Sequence, residues 1–142
     1  MTATGARTSI ADGQADLALL VGRVMIGLLF LAAGLLKVTD FANAAVASMV
    51  RSGLPAPTVV AALVTALEVA VPLLLMAGFY ARPAAVVLAL FTLAATFVAH
   101  RFWEFGGAAW YGQFFNFWKN LAVMGGLFVL AAIGPGRYAM RP

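Results

Sequence analysis

Arg23, Lys37, Glu68, His100, Gln113, Asn116, Lys119 and Asn120 all stand inside, or at the ends of, long apolar runs. A charged side chain within a bilayer span costs a few kcal/mol on insertion scales, so each of these residues needs a partner or a task. A guanidinium, two ammoniums, a carboxylate, an imidazole and three amides supply hydrogen bonding and proton exchange. Set beside aromatic rings they suit a flat, apolar molecule with carbonyl oxygens, and a quinone fits that description. His100 or Lys119 could donate a hydrogen bond or a proton to a reduced oxygen. The competing reading is a polar network that only ties helix ends to a loop.

Other chemistries are poorly supplied. The chain has no cysteine, which removes disulfides, thiolate metal sites and thiol redox work. Its single histidine cannot ligate haem from both faces. His100 and Glu104 at i, i+4 give two ligands where stable metal sites use three or four, so no metal site is expected. Neither a G-x-x-x-x-G-K-[ST] loop nor a G-x-S-x-G elbow occurs.

The elements that hold these residues are membrane spans. Of 142 residues 64% are hydrophobic and 10% charged, and the mean hydropathy is +1.00, far above a soluble domain. Runs long enough to cross a bilayer lie at 17–37, 58–79, 83–100 and 114–133. The expected fold is all-α: an integral membrane four-helix bundle with a short interfacial helix between the first and second spans. That helix is expected over 40–51, where Phe41, Ala45 and Met49 recur at i, i+4, i+8 and Asp40 suits an N-cap. A polar N-terminal segment (1–16) precedes the bundle (17–133), and a short tail (134–142) follows. The first segment, with Asp12 and Asp16, carries no cleavage-site pattern, so no cleavable signal peptide is expected.

The net charge of +4 does not point to nucleic acid, because the basic residues are scattered rather than gathered in a block. Arg7, Arg82, Arg137 and Arg141 fall on one side, Lys37, Arg51 and Arg101 on the other. That bias favours cytoplasmic termini in an inner (plasma) membrane.

Helical periodicity assigns faces. Arg23, Gly27, Phe30, Gly34 and Lys37 fall within about an 80° arc of the first span, so its charges and glycines face the bundle. Glu68 is the only acid within a span, with Ala61, Thr65 and Pro72 on its side. In an even antiparallel hairpin Arg23 lies about 21 Å and Glu68 about 15 Å from the hairpin surface, close enough for a buried ion pair. In the fourth span Gln113, Asn116, Lys119 and Asn120 fill about a 120° arc opposite Phe114, Phe115, Phe117 and Trp118. Thr92, Thr96 and His100 line one side of the third, where the hydroxyls can bond back to their own helix. Topology brings Lys37, His100, Gln113, Asn116 and Lys119 to one surface, under a lid from the loop 101–113 with Phe102, Trp103, Glu104, Trp110 and Tyr111. The candidate ligand-binding set is Lys37, His100, Trp103, Glu104, Gln113, Asn116, Lys119 and Asn120.

The chain resembles the DoxX family of small bacterial and archaeal membrane proteins. The resemblance is carried by Arg23-x-x-x-Gly27-x-x-Phe30-x-x-x-Gly34-x-x-Lys37, by Glu68 followed by Gly78, by His100-x-Phe102-Trp103, and by Asn116-Phe117-x-Lys119-Asn120 before Gly125-Gly126. It implies a four-helix membrane fold and an association with redox metabolism, the family being named for its similarity to a subunit of a thiosulfate:quinone oxidoreductase. The family pattern falls on Arg23, Lys37, Glu68, His100, Asn116, Lys119 and Asn120. With no cysteine, covalent handling of a sulfur substrate by this chain is not expected.

The leading expectation is a quinone-associated subunit of a membrane redox system, with no intrinsic cofactor and a partner supplying electrons. The alternative is a non-catalytic accessory or assembly subunit, held in the bilayer by a membrane protein partner or a second copy of itself. A small transporter ranks last, since no inverted repeat is visible.

Overall fold

The computed structural model describes residues 3–140, and side chains from residue 12 onward. Arg141, and the side chains of Arg7 and most of the polar N-terminal segment, lie outside the described residues. Helix α1 (Ala3–Thr39) is followed by a six-residue π-helix (Phe41–Val46), then by α2 (Ala47–Arg51), α3 (Pro57–Ala77), α4 (Ala81–Ala99), a single 3₁₀ turn (Phe102–Glu104) and α5 (Gly107–Ile133). Four segments, Asp12–Thr39, Pro57–Ala77, Ala81–Glu104 and Gly107–Ile133, are long and apolar enough to cross a membrane. The protein is an all-α, four-helix membrane bundle.

Local sequence explains the boundaries. The Asp40 carboxylate accepts the Asn43 backbone N–H at 3.3 Å and caps the π-helical turn. Pro57 opens α3, where its missing N–H has no partner to lose. Gly78, at φ 79°, ends α3 in the left-handed conformation that glycine adopts without strain. The third connection is shorter than expected. Helix α5 starts at Gly107, so Trp110 and Tyr111 are helical residues, and Trp110 stacks on Phe114 one turn later at 4.7 Å.

Around the bundle the order is α1, α3, α4, α5, with α5 closing more loosely onto α1. Small residues set the tightest contact. A Cβ on Gly34 would lie 3.0 Å from the Glu68 carbonyl oxygen, and one on Gly27 would strike Met76. Pro72 has no N–H to give that same Glu68 carbonyl, so α1 approaches α3 where the helical ladder is interrupted. Along α4 the buried side is Ala81, Ala84, Ala85, Leu88, Ala89, Thr92 and Thr96, packed with Phe30, Leu75, Leu127 and Leu130 into one core.

This packing fixes the register of α1 on α3. Gly34 lies level with Glu68, and Arg23 lies level with Gly78, where a Cβ would be 2.7 Å from the guanidinium. The interfacial segment therefore does not close an even hairpin: α3 starts beyond the end of α1. Arg23 and Glu68 end up about ten residues, or roughly 15 Å, apart along the bundle, and the expected pair between them does not form. Arg23 is 1% exposed and donates instead to the carbonyls of Pro135, at 2.7 Å, and Tyr138. The tail that carries them is fastened further by Met140 N to Ala77 O at 3.0 Å and by Arg137 to Asp16, whose carboxylate accepts its backbone N–H at 2.9 Å.

Candidate functional site

Glu68, freed from Arg23, pairs with Lys37. The lysine stands one turn beyond Gly34, so its stem reaches along the helix contact to the carboxylate. Glu68 is 5% exposed, while the Lys37 side chain keeps 18%. The pair forms part of the wall of a half-enclosed cavity of about 230 Å³ between α1, α3, α4 and α5.

His100, Lys119 and Asn120 complete the polar side of this cavity, and Leu29, Phe30, Ala33, Phe91, Ala95 and Val123 give it an apolar wall, with Thr92 at their edge. Each polar group is held from behind. His100 Nδ1 lies 2.8 Å from Gln113 Oε1. Lys119 Nζ donates to Asn116 Oδ1 at 2.9 Å. Asn120 Nδ2 donates to Thr96 Oγ1 at 3.0 Å. The threonines bond back to their own helix, Thr92 to Leu88 O at 2.7 Å and Thr96 to Thr92 O at 2.6 Å.

The polar residues expected to converge thus sort into two layers. Lys37, His100, Lys119 and Asn120 line the cavity, joined by Glu68; Gln113 and Asn116 stand behind them as hydrogen-bond partners. Trp103 and Glu104 do not line it. Nor do Phe102, Trp110 and Tyr111, so the aromatic lid does not form over the cavity. The rings pack on one another instead: Phe102 contacts Trp103, Trp110, Phe114 and Phe117 at centroid distances of 5.2 to 6.2 Å. Glu104 is tied to Arg101 at 3.3 Å in an exposed pair. The physical reason is the early start of α5, which leaves too few loop residues to reach over the cavity.

Glu68 was the residue that an even hairpin hides from this group. Its signal lay in the Gly34–Lys37 spacing, which puts an ammonium one turn from the closest helix contact. Two larger hollows, of about 380 and 430 Å³, lie toward the tail and between α1 and α5, and neither gathers a comparable polar set. Among the described residues no three His, Asp or Glu side chains lie close enough to hold a metal ion.

A bundle of four apolar helices with a polar cavity inside defines a small multi-pass membrane protein. The DoxX family model matches residues 18–101, from α1 through the end of α4, and the chain belongs to that family. It is 33% identical to the inner membrane protein YphA of Escherichia coli (strain K12) over 122 residues, 86% of each chain. To the inner membrane protein YqjF of the same strain it is 32% identical over 125 residues, covering 88% of this chain and 90% of that one. No solved structure matches it.

Proposed function

We propose that the cavity bounded by Lys37, Glu68, His100, Lys119 and Asn120 binds the headgroup of a quinone-type molecule, and that the protein is the quinone-facing subunit of an inner-membrane redox system. The observation that carries this reading is the convergence of five polar side chains from four segments on one small, otherwise apolar cavity. At about 230 Å³ the space falls below the roughly 300–1,000 Å³ of drug-sized sites. It suits a single ring whose apolar tail stays in the lipid.

Two ammoniums can hold ring oxygens, while the apolar wall covers the ring faces. With no cofactor-binding motif in the sequence, a separate membrane protein partner supplies the electrons. The two relatives named as inner membrane proteins support the same membrane for this chain. Arg82 and Arg137 on the tail side support cytoplasmic termini, which puts the cavity toward the outer surface.

Native mass spectrometry of the protein extracted in mild detergent, run beside His100→Ala, tests the proposal. A bound mass matching a quinone in the wild type, absent from the variant, is the expected result. A stoichiometric protein partner retained by both forms, with no small ligand in either, would replace this reading with the accessory-subunit role.

A further inference from the structure

Resting on the reading of the cavity as a quinone-type site, we infer that it is built for the reduced ring, which carries hydroxyls, and that Gln113 and Thr96 are the positioning residues that make it so. The argument is a census of hydrogens. The oxygen of an amide only accepts, so with Gln113 Oε1 at 2.8 Å the His100 Nδ1 holds the ring's hydrogen. In the neutral tautomer that this contact selects, Nε2 is an acceptor, with no protein partner among the described residues.

The Asn120 amide is fixed in the same way. Thr96 is fully buried, and its hydroxyl gives its one hydrogen to the Thr92 carbonyl. Toward Asn120 it can therefore only accept, and it takes Nδ2. The amide cannot turn over without losing that bond, so Oδ1 is held as a second acceptor. Glu68, with one oxygen on Lys37, offers its other oxygen as a third.

Three acceptors thus share the cavity with two ammoniums, each of which has given one hydrogen away, Lys37 to Glu68 and Lys119 to Asn116. A quinone carbonyl only accepts, so it answers the ammoniums and leaves the acceptors unpaired. A ring hydroxyl both donates and accepts, so the hydroquinone answers both sets. Pairing even one acceptor that would otherwise be stranded favours the reduced form by about tenfold.

The test is an anaerobic titration of the full chain in detergent with a short-chain benzoquinone and, separately, with the same compound reduced to its hydroquinone. The wild type is expected to bind the hydroquinone at least about tenfold more tightly. Gln113→Leu and Thr96→Val should each bring the ratio toward one. Thr96→Ser, which keeps the hydroxyl in place, should preserve it. Equal affinity, or preference for the quinone, in the wild type overturns this inference and leaves the quinone reading standing; binding of neither form overturns both. A ratio unchanged in Gln113→Leu and Thr96→Val overturns the positioning role, and the wild-type ratio decides the preference by itself if a variant fails to fold.

Discussion

Two charged groups are buried where α1 meets α3, Arg23 near the tail and Glu68 near the interfacial helix, and their surroundings differ in kind. Arg23 is enclosed by backbone: the carbonyls of Pro135 and Tyr138 take its hydrogens, and the tail that bears them covers it. Among the described residues its Nε has no partner and no acid pairs with it. Glu68 has a side-chain partner, Lys37, and a cavity in front of it shared with His100, Lys119 and Asn120. A cation spent on main-chain carbonyls fastens a non-helical strap that must have its polar groups satisfied near the membrane. An ion pair on the wall of a cavity keeps lone pairs and hydrogens for something else. Burial of charge is common to both ends; only one end has chemistry left over.

The largest effect on stability is expected at the closed end. Arg23→Met removes the donors of the Pro135 and Tyr138 carbonyls. Hydrogen bonds to a charged group contribute about 1.5–3 kcal/mol each, so the loss of two should reach about 3–6 kcal/mol. Titration of the folded protein in micelles with a denaturing detergent measures it. Arg23→Lys should recover part of the loss, since an ammonium reaches one carbonyl more readily than two. An unchanged unfolding curve would show that the tail is not fastened there, and the contrast between the two ends would collapse.

A second comparison runs along the glycines of α1. At Gly34 an added Cβ would meet Val69 Cγ2 at 2.9 Å and the Glu68 backbone at 3.0 Å. Backbone cannot step aside, so Gly34→Ala should cost about 1–3 kcal/mol as overpacking and should shift the Lys37–Glu68 pair. At Gly27 the main obstacle is Met76, a flexible side chain able to repack, and Gly27→Ala should cost less. The same denaturation series ranks the two. The reverse order would mean that the close helix contact is centred at the closed end and not beside the cavity.

Much of this was legible in the sequence. The four spans, the interfacial segment, the Asp40 cap and the inward face of Arg23, Gly27, Gly34 and Lys37 all follow from hydropathy and a period of 3.6 residues, which the bilayer enforces strictly. The grouping of Lys37, His100 and Lys119 followed from topology, and Asn120 joined it by lying on the polar face of the fourth span. Register did not. How far α3 slides on α1 depends on how the residues between them fold back, and neither hydropathy nor periodicity measures that. An even hairpin therefore matched Glu68 with the wrong cation. The tail was equally hidden, because Pro135 and Tyr138 act through carbonyls, which every residue has. The lid failed for a local reason: the start of α5 at Gly107 is set by a glycine with φ 60° within a run that reads as loop.

At the open end the expected losses are in binding rather than in stability. Glu68→Gln keeps the shape and removes the charge. Lys37 is left without its carboxylate, but its stem is long enough to carry the ammonium toward the surface. The stability cost should therefore stay below the roughly 3–5 kcal/mol of a stranded buried charge. Affinity for a quinone-type probe should fall about tenfold, the size of one lost pairing. Equilibrium titration in detergent, paired with the unfolding curve, separates the two. A large loss of stability with unchanged affinity would make the pair at this end a fastening like Arg23.

The smallest effect should come from Glu104, the acid that sequence alone placed at the site. It sits in the 3₁₀ turn, 3.3 Å from Arg101, with both side chains more than a third exposed. Exposed pairs of this kind contribute about 0–1 kcal/mol. Glu104→Ala should therefore leave the unfolding curve within about 0.5 kcal/mol of wild type and leave ligand affinity unchanged, whereas His100→Ala, four residues earlier, should abolish retention of the ligand. Titration of the two variants with the same short-chain hydroquinone makes the distinction directly. Loss of affinity in Glu104→Ala would mean that the turn swings over the cavity when a ligand enters, and the aromatic residues beside it would then belong to the site.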